Sequence, residues 1–64
     1  MISYLNRRKA ALEILGSDTR LTRKAGAFLG QCAVDDMPLT DRQTEWLYQL
    51  AEKAGVVIEE AEHV

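Results

Sequence analysis

The segment LTDRQTEWLYQLAEKAG, residues 39–55, decides the fold. Thr40 is a helix-capping residue, and Gln43 stands three positions on, where its amide can reach back to the cap in a reciprocal capping box. Asp41 suits the positive end of the helix dipole. Trp46, Leu47, Leu50, Ala51 and Ala54 recur at helical spacing on one face, and Asp41, Arg42, Glu45, Gln49, Glu52 and Lys53 fill the other. Gly55 supplies a stop. The spacing predicts an amphipathic helix over 41–54, with Tyr48 on the border of its apolar face.

The same pattern stands eighteen residues upstream: LTRKAGAFLGQCA from Leu21 stacks on LTDRQTEWLYQLA from Leu39. Both have Leu-Thr, an aromatic-Leu pair, then Gln, an apolar residue and Ala. Thr22 therefore caps a second helix over 23–34, which Asp35, Asp36, Met37 and Pro38 end. Its face is Ala25, Phe28, Leu29, Cys32 and Ala33. Gly26 and Gly30 leave a smooth strip for the close approach of another helix. The equivalence predicts helices 2 and 3 as an antiparallel hairpin, with Phe28 and Leu29 against Trp46 and Leu47 and helix 2 the most enclosed.

Residues 3–15 read as a first helix, with a stripe of Tyr4, Leu5, Ala11, Leu12 and Leu15 that takes in Arg8, and Gly16 as its stop. Beyond Gly55, Val56, Val57 and Ile58 are expected to seal the core. EEAEHV reads as an acidic tail. The fold class is all-α: a single compact three-helix domain over 1–64, with a short tail over 56–64.

The composition, 64 residues with 47% hydrophobic and 28% charged, is that of one folded domain. A core this small usually needs support from a disulfide, a metal or a partner. Cys32 is the single cysteine and His63 the single histidine, so an internal disulfide and a Cys/His zinc set are both excluded. Tight helix packing, with or without self-association, is the remaining support, and a homodimer could use the Gly26/Gly30 strip, Arg8 or the Val-Val-Ile segment. Apolar runs are only a few residues long, against the roughly 20 that span a bilayer. No secretory leader is evident. A thiol without a partner fits a reducing compartment, so the reading is cytoplasmic, with no membrane association.

The charge is polarised. The first thirty residues carry six cations against two acids, and the rest carry two against eight. Arg7, Arg8, Arg20, Arg23 and Lys24, with Tyr48 as an anchoring aromatic, are the candidate partner-binding residues. No set of groups points to catalysis: His63 is on the tail, Cys32 is on an apolar face where a thiol is inert, and Asp35 and Asp36 read as solvated turn formers. The reading is a non-enzyme without cofactor or metal. A helix 3 in the DNA major groove would present Asp41, Glu45 and Glu52 to phosphates, which disfavours base readout. The alternative reading, nucleic-acid binding, would use the basic surface of residues 7–24 on the backbone, with strong salt dependence.

Leu-Thr-x-Lys, Phe-Leu and Leu-Thr-x-x-Gln-x-x-Trp-Leu-x-x-Leu, spanning Leu21 to Leu50, resemble a helical-hairpin pattern. It is found in small accessory proteins, and in parts of replication-associated proteins, of proteobacterial phages and plasmids. The resemblance implies an accessory protein of a phage or mobile element that binds a host or phage protein. Small inhibitors of host defence such as anti-CRISPR proteins belong to that class. It implies no catalytic residue.

Overall fold

A computed structural model describes residues 3–58. It contains α1 (Tyr4–Leu15), α2 (Arg23–Val34) and α3 (Asp41–Ala54), and no strand among the described residues. The helix starts follow from local chemistry. The Ser3 hydroxyl accepts from the Asn6 amide, and Thr22 Oγ1 accepts from the Ala25 amide at 3.0 Å. At α3 the capping box is complete: the Gln43 amide donates to Thr40 Oγ1 at 3.1 Å, and the Thr40 amide donates to Gln43 Oε1 at 3.0 Å.

The end of α3 is equally local. Gly55 adopts φ 73°, a left-handed conformation that costs other residues steric strain, and the Val56 amide then closes onto the Ala51 carbonyl at 2.8 Å. That reversal turns Val56 and Ile58 onto the core while Val57 faces out, so the segment seals the core as expected. Residues 59–64, including the acidic tail and His63, lie outside the described residues. In the α2–α3 connection Asp35 Oδ1 accepts from the Met37 amide at 3.0 Å, forming the turn its side chain favours.

The core joins Ala11 and Ile14 of α1, Ala25, Phe28, Leu29, Cys32 and Ala33 of α2, and Leu47, Leu50 and Ala51 of α3. Phe28 and Trp46 stack with centroids 4.6 Å apart and planes 12° from parallel, the contact anticipated from the repeated pattern. The close helix pair, however, is α1 with α2. Helix α1 also packs against α3, while α2 and α3 approach each other least. Side-chain size explains this: Ala10, Ala11, Ala25 and Ala33 are small and buried, whereas the two stacked rings act as a spacer between α2 and α3. Helix α1 packs against both others, closely against α2 and more loosely against α3, while α2 buries the most residues, as expected for the most enclosed helix.

The buried face of α1 differs from the expected stripe by one residue. Arg7, Ala10, Ala11 and Ile14 are buried, while Leu5, Leu12 and Leu15 are 72%, 47% and 40% exposed. One residue is about 100° around a helix. Arg7 takes the place foreseen for Arg8, and Ile14 that foreseen for Leu15. The two alanines allow an approach that a leucine face would block.

Two substitutions of similar chemistry separate these faces. Ile14→Ala should lower the free energy of unfolding by about 3 kcal/mol, since Ile14 is fully buried. Leu12→Ala should cost about 0.5 kcal/mol or less in dilute protein. Urea denaturation of both variants checks the pair.

Candidate functional site

The last carbonyls of any helix lack partners within it and form the negative end of its dipole. Helix α2 has no basic residue in its own last turn. Side chains from α1 meet that end instead. The Ala33 carbonyl accepts from Tyr4 Oη at 3.0 Å and from Arg8 Nη1, and the Asp35 carbonyl accepts from Arg7 Nη2 at 2.6 Å. The Arg7 guanidinium carbon lies 5.2 Å from the centre of the Tyr4 ring, a cation–π approach. Arg7 is only 4% exposed, and its Nε has no hydrogen-bond partner.

Cys32 is buried in the last turn of α2. Burial pushes its thiol above the usual range, and the positive charge of Arg7 opposes this in part. The thiol is held protonated, the less nucleophilic form. Nearby, a cleft of about 270 Å³ lies between α2 and the start of α3, lined by Phe28, Gln31, Cys32, Asp35, Pro38 and Gln43 among others. Its polar groups already bond within the chain: Gln31 Nε2 donates to Asp35 Oδ2 at 3.5 Å, and Gln43 belongs to the capping box. Among the described residues no group of three or more His, Cys, Asp or Glu could hold a metal ion. No helix among them is long and apolar enough to cross a membrane.

The candidate partner-binding residues do not form one surface. Arg7 is withdrawn into the α1–α2 junction, because its guanidinium satisfies the Asp35 carbonyl. Arg8 is exposed but tied at one nitrogen to the Ala33 carbonyl. Arg20, Arg23 and Lys24 are exposed at the other end of α2, about 18 Å away along a twelve-residue helix. Tyr48 is 36% exposed on α3. A side-chain carbon at Gly26 or Gly30 would meet nothing within 4 Å, so no other helix among the described residues occupies the glycine strip.

What the sequence pattern did not reveal is the outer face of α1. Leu5, Leu12 and Leu15 line it, with Arg8 among them and Lys9 on one flank. Val57, 82% exposed, borders one flank beside Asn6, Lys9, Ala10 and Glu13. The adjacent Ala10 and Ala11 were the available signal that the leucines face outward. No protein-family model matches the chain, and no curated protein or solved structure is similar to it at a significant level.

Arg7→Ala should cost about 2–3 kcal/mol, because it leaves a part-buried carbonyl at a helix end without its charged donor. Arg8→Ala should cost about 1 kcal/mol or less, as for a solvent-exposed cation at a helix C-terminus. Denaturant midpoints check both.

The raised thiol gives a pH dependence. The folded chain keeps the Cys32 proton at pH values where the unfolded chain has lost it, so the stabilisation is full below about pH 8.5 and falls as pH rises further. Wild type should lose stability relative to Cys32→Ala as the pH rises above about 8.5. Parallel denaturation series check the difference.

Proposed function

We propose that this chain is a small non-enzymatic protein-interaction module, and that the outer face of α1 is its principal binding surface. The observation that carries the reading is the row of Leu5, Leu12 and Leu15 on one side of a helix whose other side is fully packed. Exposed leucines at i, i+7 and i+10 form a single apolar stripe, and clustered apolar exposure on a folded chain marks contact with another protein. Arg8 and Lys9 add charge beside the stripe, where it selects partners and orientation rather than adding much affinity.

The Leu21–Leu50 pattern supports a role as an accessory or inhibitor protein of a phage or mobile element, binding a host or phage protein in the cytoplasm. A second reading, nucleic-acid binding, draws on Arg20, Arg23 and Lys24, which stand exposed together at the start of α2. Three cations there would contact phosphates without base readout.

Affinity capture of tagged protein from host lysate, with and without nuclease, decides between them. The interaction reading expects a stoichiometric protein that survives nuclease and is lost with Leu12→Glu. Loss of all bound material on nuclease treatment, with Arg23→Glu/Lys24→Glu mimicking that loss, would overturn it in favour of nucleic acid.

A further inference from the structure

We infer that the outer face of α1 is covered by a second copy of this chain, in an antiparallel α1–α1 pair about a twofold axis near Ala10. This rests on the reading of that face as protein-binding and names its occupant. Charge complementarity and register select the second copy. Lys9 and Glu13 are both exposed, four residues apart, and on the same flank of the Leu5–Leu12–Leu15 stripe.

In a parallel pair, the flank that bears Lys9 and Glu13 would meet the other flank of the second copy, so no exchange of Lys9 for Glu13 could form. In the antiparallel pair, a twofold axis at position 10 places Leu5 opposite Leu15 of the second copy and Arg8 opposite its Leu12. Same-side flanks then meet, and Lys9 falls about 3 Å along the axis from Glu13 of the second copy, at a rise of roughly 1.5 Å per residue. Symmetry repeats the pair, so each helix gives one cation and receives one. A partner of a single charge sign would leave either Lys9 or Glu13 opposed. A second copy opposes neither.

Other exposed features support the same seam. The Arg8 guanidinium is held by the Ala33 carbonyl, so this side chain loses less freedom when the face is covered. Val57 stands at the Lys9/Glu13 flank and extends the apolar cover. Arg20, just before α2, and Arg23 and Lys24 in its first turn are exposed outside the seam and would appear twice on the assembled dimer.

Sedimentation equilibrium of the full chain from micromolar to millimolar concentration tests the inference. The expected result is a reversible dimer that Leu12→Asp abolishes while helical content is retained, since Leu12 makes no part of the core. Lys9→Glu and Glu13→Lys should each weaken dimerisation about tenfold by placing like charges across both symmetry-related contacts, and the double variant should return to near wild-type strength. A monomer at every concentration would overturn the inference. So would a dimer indifferent to Leu12→Asp, or charge variants without mutual rescue. A monomer whose captured protein is still lost with Leu12→Glu would remove the second copy and leave the interaction reading standing. If that capture is indifferent to Leu12→Glu as well, both are overturned.

Discussion

Helix α2 ends without a cation of its own, and its inward-facing carbonyls are met by Arg7 and Arg8 of α1. Much of the arrangement depends on that junction. A guanidinium can satisfy a helix end at a distance because it is long, planar and always charged. Once Arg7 reaches the Asp35 carbonyl, the rotation of α1 is set, and Ala10, Ala11 and Ile14 follow it into the core. Burying a cation without a carboxylate is costly. Here the cost is offset by the carbonyl, by the negative end of the α2 dipole and by the Tyr4 ring. The Nε atom without a partner is what that arrangement leaves over.

The same rotation determines what the chain presents to others. A face of Leu5, Leu12 and Leu15 turned inward would bury three large side chains and would hold α1 away from α2. Turned outward, it leaves a small core that relies on alanine-mediated closeness, and an apolar stripe that water covers poorly. A chain of this size has little stability in reserve. An external contact on the stripe would stabilise the folded form by mass action. Function and stability therefore draw on the same helix face.

Local grammar made most of the architecture readable. Thr22, Thr40 with Gln43, Gly16 and Gly55 mark helix ends through backbone hydrogen bonding, which needs no tertiary knowledge, and the helix bounds agree closely with expectation. The Phe28–Trp46 contact was readable from the repeated pattern. The face of α1 was not, because periodicity alone offers two stripes one residue apart, and large leucines weigh more than alanines in any count of hydrophobicity. The choice was made by a long-range bond from Arg7 to a carbonyl 28 residues away, which leaves no periodic trace. The close α1–α2 pair escaped for a related reason: two helices with equal patterns need not be neighbours along their length when their rings stand between them. The basic set was readable as composition, but its division between the two ends of α2 needed the fold.

The central claim is that α1 is anchored through Arg7 with its leucines outside. Nuclear Overhauser contacts in protein labelled at arginine nitrogens and at isoleucine and leucine methyls test it directly. The account expects slowly exchanging Arg7 guanidinium protons in contact with residues Ala33 to Asp35, and Ile14 methyls in contact with Leu29 and Leu47. A freely exchanging Arg7, with Leu12 methyls in place of Ile14 against Leu29 and Leu47, would contradict it.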